Sequence, residues 1–454
     1  MPRPITAYAT YVPRHRLQRA EVGAALTSGA GEGARALASF DEDSTTLGVE
    51  AARRALPEGE RPGSIYFATT APAYADKTNA TAIHAALDLG HDGFAVDVAG
   101  SARGAVGALK AASASGGLAV LSDLRTGRPG SADESGGGDA AAAFLFGEGP
   151  PIAEVLGEAS ATAEFLDRWR APGALAGGQW EERFGQEAYV PLVRDAATRA
   201  LAAAGLERVD RVILSSPHAR TAAAGAKGLP AERIEPAASI GNAGAADPGI
   251  RLAAVLDEAA PGETILLLVA ADGCDATVLR TTDALPAHRA AVSVADQSGP
   301  GRNVAYATYL TWRGLLDREP PRRPEPGRPA GPASMRSEAW KFAFVGSKCE
   351  ECGQVHVPPR RVCVGCGATD TMERVALSGR PGRIATSTVD RLAFSPSPPM
   401  IDAVIDFEGG GRYTLELADA DPEQSAIGTD VELTFRRLYT SGGVHNYFWK
   451  ARPV

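Results

Sequence analysis

Long apolar segments are absent from this sequence. No stretch approaches the roughly 20 apolar residues that a membrane-spanning helix needs. The first residues, MPRPITAYATYVP, also lack the basic segment and the apolar run of a signal peptide. We therefore expect no membrane partner and a cytoplasmic location.

A basic tail is missing as well, and the formal net charge is −9. Proteins that bind nucleic acids normally carry excess positive charge on the binding face. The C-terminal part, 341–454, has 13 Lys and Arg against 14 Asp and Glu, a balance of −1. We therefore expect no nucleic-acid partner, although small barrels of the type predicted below can bind single strands.

Cysteine is scarce, with five in 454 residues, and four of them lie within 18 residues. This crowding favours metal binding in a reducing compartment over a disulfide framework. Cys274 stands apart, directly after the strand-like run ILLLVAADG. Cys274 either lies near a pocket or, as we favour, is an inert buried thiol.

What is present is ordinary globular composition, with 44% hydrophobic and 22% charged residues. At this length two or three folded domains are expected. Two parts of the chain show the same order of helix, strand and turn. In the first part the helix is TLGVEAARRAL and the strand is SIYFA; in the second part the helix is LVRDAATRALAAAGL and the strand is VILSS. Both continue with a turn, a helix and a buried strand. This predicts a duplicated α/β body with halves at 1–158 and 159–316.

The segment 317–340 is predicted to be a linker. Its run REPPRRPEPGRPAGPAS is so rich in proline that we expect an extended spacer without a helix. Beyond it, 341–454 contains the cysteine cluster at 349–366 and then short alternating runs separated by turns. These runs predict a small β-barrel of the OB type.

The clustered cysteines form two C-x-x-C pairs that are separated by ten residues: Cys349, Cys352, Cys363 and Cys366. Four thiolates complete the tetrahedral shell of zinc and leave no open position for water or substrate. The spacing therefore predicts one structural zinc ion. His356 is an alternative ligand, but we expect it to be a surface residue of the hairpin.

In its sequence motifs the chain resembles members of the thiolase superfamily. Specifically, it resembles 3-hydroxy-3-methylglutaryl-CoA synthase-like proteins that are fused to an acyl-CoA-associated zinc-ribbon and OB-fold domain. The segments that carry the resemblance are FDEDSTTLGVEAARRAL, ATTAPAYADKTNA, VDVAGSARGAVGAL, SDLRTG, WEERF, SSPHAR, IGNAGAADPG, GSKCEECGQVHVPPRRVC and IGTDVELTFRRL followed by NYFWKARP. The resemblance implies a thiolase-like five-layer α/β/α/β/α body, usually a homodimer. It also implies a tunnel for coenzyme A thioesters.

The resemblance also identifies two departures from the family. Ala102 stands where the family has the cysteine that accepts the acyl group, at a helix N-terminus that favours a thiolate. Thr70 replaces the glutamate that acts as general acid and base. A register shift by one residue would make Ser101 the nucleophile, although the neighbouring Arg103 and glycines favour Ala102.

Other family positions are retained. His218 in SSPHAR matches the histidine that contacts the thioester carbonyl, and Asn242 in IGNAG matches the asparagine of the same pocket. Tyr74 and Lys77 match positions near the tunnel, and we expect Lys77 and Arg103 to contact coenzyme A. Without the resemblance, His218 and Asn242 would be interpreted as turn residues.

These residues lead to three functional hypotheses. The first is an enzyme that makes or breaks a carbon–carbon bond beside a thioester carbonyl, by aldol, retro-aldol or condensation chemistry, without an acyl-enzyme. Its substrate would be an acyl-CoA or an acyl carrier protein; His218 and Asn242 would stabilise the enolate oxygen, and Tyr74 would move the proton. The second is a non-catalytic thioester-binding scaffold for a partner enzyme. The third is acyl transfer through Ser101.

Overall fold

The computed structural model describes residues 2–27, 31–319, 323–329 and 331–454. The chain forms two compact units. The first comprises 1–38, 43–84 and 89–313, and the second comprises 39–42, 85–88 and 314–454. Among the described residues, no helix is both long and apolar enough to cross a membrane.

The first unit is built from alternating strands and helices. Its strands are β1 (Ile5–Tyr11), β2 (His15–Gln18), β3 (Ala34–Leu37), β4 (Ser64–Thr69), β5 (Phe94–Ala99), β6 (Gly117–Asp123), β7 (Ala140–Phe146), β8 (Ala153–Ala161), β9 (Arg168–Trp169), β10 (Gly178–Gln179), β11 (Val209–Ser215), β12 (Ala231–Ile234), β13 (Thr264–Ala270), β14 (Cys274–Thr281) and β15 (Arg302–Asn303). Its helices are α1 (Arg19–Leu26), α2 (Ser44–Ala55), α3 (Ala80–Ala86), which continues into the second unit, α4 (Gly104–Ser115), α5 (Ala132–Gly136), α6 (Glu182–Ala204), α7 (Ala219–Ala226), α8 (Asp247–Glu258), α9 (Val294–Gln297) and α10 (Tyr306–Trp312). Short 3-10 turns lie at Gly244–Ala246 and Leu285–Ala287.

One ten-stranded sheet carries the duplication. Its strand order is β12-β11-β13-β14-β8-β1-β7-β6-β4-β5. Read outward from the centre, β8-β14-β13-β11-β12 and β1-β7-β6-β4-β5 have the same sequence of two antiparallel and then two parallel pairings. The central strands meet at a single antiparallel pair, Ile5 with Ala153. The predicted duplicated α/β architecture is confirmed.

Local sequence explains the main elements of this unit. Helix α2 begins with a capping box in which Asp43 accepts from the backbone N–H of Thr46 at 3.0 Å and the Thr46 hydroxyl accepts from the N–H of Asp43 at 2.9 Å. Strands β6, β7 and β13 are buried along their whole length, as their continuous apolar runs predict. Helix α8 packs against β7, β11 and β13, so the core spans both halves.

The second unit contains two sheets. Its strands are β16 (Val345–Cys349), β17 (Val355–His356), β18 (Met372–Ala376), β19 (Gly382–Asp390), β20 (Met400–Phe407), β21 (Arg412–Glu416), β22 (Asp430–Ser441) and β23 (Val444–Pro453); its helices are α11 (Gly331–Met335), α12 (Glu338–Lys341) and a 3-10 turn at Pro422–Ser425. The orders are β17-β16-β18 in the cysteine-rich part and β21-β20-β19-β22-β23 in the barrel-like part. The short runs that predict strands beyond the cysteine cluster are 383–389, 401–407, 413–417 and 431–435. They coincide with β19, β20, β21 and β22, except that Leu417 lies one residue past the end of β21.

The proline-rich segment differs from its prediction. We predicted a spacer without a helix, but Gly331–Met335 forms the short helix α11. Pro332 is compatible with this helix because proline in a first turn has no intrahelical N–H bond to lose. Residues 320–322 and 330 of the predicted linker lie outside the described residues.

Candidate functional site

A cavity of about 780 Å³ lies in the first unit. This volume is typical of pockets that hold a cofactor-sized ligand. The lining includes the alanines of helix α7 and several charged side chains. Both His218 and Asn242 line it. The cavity thus brings together two of the residues that the sequence singled out.

His218 is the N-cap residue of α7, and its side chain is buried. Its Nε2 atom lies very close to Oδ2 of Asp167, which is itself buried, although the two groups are not aligned as a linear hydrogen bond. The ring of Tyr189 packs beside the imidazole with the two centroids 5.8 Å apart. A carboxylate in contact with one ring nitrogen fixes the orientation of an imidazole.

Asn242 lies in the turn between β12 and α8. Its Nδ2 donates to the carbonyl oxygen of Ser216 at 3.0 Å, and its Oδ1 accepts from the N–H of Gly244 at 3.1 Å. An amide nitrogen has two N–H groups, so one remains for a ligand. The backbone N–H of His218 is bonded to the Ser216 hydroxyl at 3.2 Å. Ser216 therefore links the two candidate residues.

Ala102 lies in the turn two residues before the first residue of α4. Its methyl side chain cannot accept an acyl group. The neighbouring Ser101 hydroxyl accepts from the backbone N–H of Arg103 at 3.2 Å, which is a local turn contact. Ala102 is therefore chemically inert, and its correspondence to the family nucleophile stays a prediction.

Thr70 directly follows strand β4 and is buried. Its hydroxyl donates to the carboxylate of Asp123, with oxygen–oxygen distances of 2.9 and 2.7 Å. The same carboxylate accepts from the backbone N–H of Ala245 at 2.9 Å, so it joins β4 to the turn that follows Asn242. Burial raises the pKa of Asp123.

The other candidate residues do not line this cavity. Absent from its lining are Thr70, Tyr74, Lys77, Ser101, Ala102 and Arg103. Lys77 is exposed and donates to the carbonyl of Thr78 at 2.9 Å. Arg103 donates to Asp275 at 2.7 Å, and that hydrogen bond raises the pKa of the guanidinium. The predicted contacts of Lys77 and Arg103 with coenzyme A, and the predicted proton transfer by Tyr74, stay predictions.

No feature of the sequence indicates that Asp123 and Asp167 are partners of the candidate residues. Asp123 lies 53 positions from Thr70 along the chain. The sequence did mark Asp123 as part of the SDLRTG motif, but it carried no indication of the pairing. Asp167 lies in an irregular segment before β9 and has no motif that would distinguish it from a surface carboxylate.

Cys274 is fully buried at the start of β14. Burial raises the pKa of its thiol to about 12, so the thiol is protonated at neutral pH. The prediction of a buried, inert cysteine is confirmed.

The four cysteines of the second unit converge. Their sulfur atoms all lie within 4.8 Å of one another, with Cys349 and Cys366 at 3.7 Å and Cys352 and Cys363 at 3.5 Å. Zinc–sulfur bonds of about 2.3 Å in a tetrahedron separate the sulfurs by about 3.8 Å. The four thiols therefore fit one zinc ion.

His356 is not the surface residue that we predicted. It is buried in β17, because the hairpin of β16 and β17 folds its side chain inward beside the cysteine cluster. The backbone N–H of Cys366 is the main cause that lowers the pKa of Cys363 to about 5, and His356 contributes in the same direction. A lowered pKa favours the thiolate that binds a metal.

Comparison with known proteins also separates the C-terminal part of the chain from the first unit. The family described as ChsH2, rubredoxin-like zinc ribbon domain, matches residues 342–373, and ChsH2, C-terminal OB-fold domain, matches 374–436. A DUF35 domain-containing scaffold protein of Methanocaldococcus jannaschii is 34% identical over 126 residues, which are 27% of this chain and 89% of the relative.

The first unit has relatives of a different kind. The hydroxymethylglutaryl-CoA synthase of Archaeoglobus fulgidus is 31% identical over 339 residues, which are 68% of this chain and 98% of the relative. Among solved structures, an HMG-CoA synthase complexed with CoA has a TM-score of 0.60 at 14% identity and covers 68% of this chain and 90% of its own. A 3-oxoacyl-(acyl carrier protein) synthase III from Pseudomonas aeruginosa PAO1 has a TM-score of 0.56 at 22% identity, covering 62% and 98%.

The two structural likenesses show a thiolase-like α/β fold for the first unit. The zinc-ribbon and OB-fold predictions for the tail are likewise confirmed. The chain therefore belongs to the hydroxymethylglutaryl-CoA synthase family of the thiolase superfamily, with ChsH2-type zinc-ribbon and OB-fold domains at its C-terminal end.

Proposed function

We propose that this protein binds an acyl thioester, on coenzyme A or on a carrier protein, and makes or breaks a carbon–carbon bond beside the thioester carbonyl without a covalent acyl-enzyme. One observation supports the proposal: His218 and Asn242 line one cavity. Ala102, at the position that we predict for the family nucleophile, has no group that could accept an acyl chain. On this assignment the polar groups for a thioester carbonyl are kept and the acyl acceptor is lost.

The two cavity residues take different roles in this proposal. The free amide N–H of Asn242 donates to the thioester oxygen and stabilises the negative charge that develops there. His218, oriented by Asp167, moves the proton. The sequence suggested Tyr74 for proton transfer, but the position of His218 in the cavity favours the histidine.

In the cleavage direction, His218 accepts the proton of a β-hydroxyl group. The bond between the α and β carbons then breaks, and its electron pair moves onto the thioester oxygen as an enolate. The β carbon leaves as the carbonyl of a ketone or an aldehyde. The enolate takes the proton back from His218 at the α carbon, which gives the shortened acyl thioester and neutral histidine.

Zinc serves the structure of the protein in this proposal. Its four cysteine ligands would complete the coordination shell, so the ion would stabilise the ribbon and supply no Lewis acid to a substrate. We also expect a homodimer, which multi-angle light scattering of the full chain tests directly.

The test compares turnover of β-hydroxyacyl-CoA esters by the wild type, by His218→Ala and by His288→Ala. His288 is an exposed histidine whose Nδ1 lies 2.9 Å from the carbonyl of Ala284, so it is a matched control. We expect His218→Ala to lose about 10²- to 10⁴-fold in kcat, the usual contribution of a general acid–base group. Equal turnover in all three proteins would rule out the assignment of His218.

A second candidate function is a non-catalytic scaffold that holds a thioester for a partner enzyme. The similarity of the tail to a protein described as a scaffold supports it. Under this hypothesis, calorimetry detects acyl-CoA binding, but no ester turns over until a partner is added. Acyl transfer through Ser101 has weaker support, because the Ser101 hydroxyl accepts from a local N–H; it predicts an acyl adduct on Ser101.

A further inference from the structure

A groove of about 650 Å³ lies in the second unit. It is lined by side chains of strands β20, β21, β22 and β23, and its aromatic residues include Trp340, Tyr413 and Phe448. These three rings pack edge to face, with centroids 5.6 to 6.1 Å apart. The second and third strands of an OB-type barrel belong to its usual ligand-binding face. Since β20 and β21 are these strands, the groove lies where barrels of this type bind ligands.

A segment of the same chain already lies over this groove. We call residues 323–329, RPEPGRP, the strap; they form no helix or strand, and all of them are exposed. Five of them line the groove: Arg323, Pro324, Pro326, Arg328 and Pro329. Proline restricts the unbound backbone, so an extended proline-rich segment loses little conformational freedom when it binds. Because the strap stays exposed, it covers the groove without joining the core.

Both ends of the strap have a partner in the groove. The guanidinium carbon of Arg328 lies 5.0 Å from the centroid of the Tyr439 ring, a distance that permits cation–π attraction. That ring is held in place, because the Tyr439 hydroxyl accepts from Nδ2 of Asn446 at 2.7 Å. At the other end, Arg323 lies 3.8 Å from the carboxylate of Asp390.

The charges of the groove and the strap are complementary. The barrel side contributes the carboxylates of Asp390, Asp402 and Glu416 and the single ammonium of Lys341, whereas the strap contributes two guanidiniums. Burial is the main cause that raises the pKa of Asp402, and the like charge of Asp390 adds to it. A cation beside this pair relieves the repulsion. Glu325, the one acidic residue of the strap, does not line the groove.

The strap is tethered close to the groove. Helix α11 begins two positions after it, and a Cβ atom at Gly331 would lie 3.4 Å from Cγ1 of Val444 in β23. Ser334 of the same helix accepts from Nζ of Lys341 at 2.7 Å. A short tether gives a ligand a millimolar effective concentration at its site. The weak contacts of exposed side chains are then enough to keep the groove filled.

We propose that this groove recognises extended peptides rich in proline and arginine, and that the strap is its own, displaceable ligand. The chemistry follows from the two surfaces, since an aromatic and acidic groove suits prolines that alternate with arginines. The tether to α11 assigns the strap to its own chain and not to a second copy. The proposal concerns the second unit alone, so it does not depend on the reaction in the first.

The experiment measures binding of the fluorescein-labelled peptide RPEPGRP to the full chain by fluorescence anisotropy. It compares the wild type with a strap variant that combines Arg323→Ala, Pro324→Gly, Pro326→Gly and Arg328→Ala. The strap variant should bind the peptide at least about ten-fold more tightly, because it has lost the tethered competitor. It should keep the near-ultraviolet circular dichroism of the wild type, since the four substituted side chains are exposed.

Matched controls identify the contacts. In the strap variant, Tyr439→Leu should weaken peptide binding about two- to five-fold, whereas Tyr439→Phe, which keeps the ring, should not. A peptide with alanine at both arginine positions should bind more weakly than RPEPGRP. No binding to the strap variant, equal binding to the wild type and the strap variant, or equal binding of both peptides overturns the inference. A strap variant of lower mass than the wild type in light scattering would assign the strap to a second copy and would also overturn it.

Discussion

At the scale of single residues, Ala102 matters most to the proposed chemistry. The turn that carries it leads into α4, and the positive end of a helix dipole would favour a thiolate there. We propose that Ala102 stands at the position of the family cysteine, so that this helix end lacks its thiol. We likewise propose that Thr70, whose hydroxyl donates to the buried Asp123, stands at the position of the family glutamate.

Restoring the thiol should restore acylation. We expect Ala102→Cys to form a covalent acyl adduct with acetyl-CoA, because a cysteine before the N-terminus of α4 would have a lowered pKa. Intact-protein mass spectrometry measures the adduct. Ser101→Cys is the matched control, and it should stay unmodified because the residue 101 side chain faces the Arg103 N–H. Absence of an adduct on Ala102→Cys would contradict the assignment of this position.

Asp167 should act as a positioning residue for His218. We expect Asp167→Asn to lower kcat at least about ten-fold with little change in KM, because the imidazole loses its orienting charge while the cavity keeps its shape. The pH profile of kcat should also shift, which a purely structural role would not produce. Asp195→Asn serves as a control, since Asp195 forms an exposed pair with Arg199. An unchanged pH profile in Asp167→Asn would contradict the role.

At the scale of elements, hydrophobic periodicity predicted the buried strands, whereas helix α11 and the burial of His356 depend on local contacts. The strands β4, β11, β6 and β13 were predictable because continuous or alternating apolar runs mark buried strands. Helix α11 was not, because proline density was taken to exclude a helix, although a first turn tolerates Pro332. The buried position of His356 depends on how the β16–β17 hairpin folds over the cysteines, which spacing alone does not specify.

The zinc ribbon should depend on its metal. We expect the full chain to bind one zinc ion, and Cys363→Ser to lose most of it, because structural zinc sites fold only with a complete ligand set. Elemental analysis after dialysis gives the stoichiometry. Cys274→Ala should keep the zinc, since Cys274 is buried in another unit of the chain. Full zinc retention in Cys363→Ser would show that the cysteine cluster is not the binding site.

At the scale of the whole molecule, sequence-distant segments complete one unit. The segment Ser39–Glu42 belongs to the second unit, where Asp41 contacts Lys450 at 2.8 Å and Arg436 at 3.1 Å. All three side chains are buried. This grouping could not be predicted from the sequence, because the partners lie about 400 positions apart and each resembles a surface charge. The duplicated body, by contrast, was predictable because the same order of helices and strands occurs in each half.

The buried group gives the stability of the second unit a pH dependence. Burial acts to raise the pKa of Asp41, but Lys450 and Arg436 outweigh it and lower the pKa. A carboxylate with a lowered folded-state pKa contributes stability above its unfolded pKa of about 3.9, and this contribution is lost as the pH falls through the folded value. Acid should therefore destabilise this unit below about pH 4.

Substitution should reveal the same contribution. We expect Asp41→Asn to lower the free energy of unfolding by about 1–3 kcal/mol at pH 7, since it removes one buried carboxylate from two buried cations. Lys450 keeps Glu416 as a partner and Arg436 keeps Asp419, which limits the loss. Urea unfolding followed by tryptophan fluorescence measures the change. Asp406→Asn, which removes an exposed pair with Arg412, should cost less than about 1 kcal/mol. Equal costs of the two substitutions would contradict a structural role for the buried group.

Carbon–carbon bond chemistry without an acyl-enzyme can be tested by intact-protein mass spectrometry of the wild type, quenched while it turns over a β-hydroxyacyl-CoA ester. We expect a shortened acyl-CoA and a free carbonyl product to accumulate while the protein mass stays unchanged. An acyl adduct on the chain during turnover, at Ser101 or elsewhere, would contradict it.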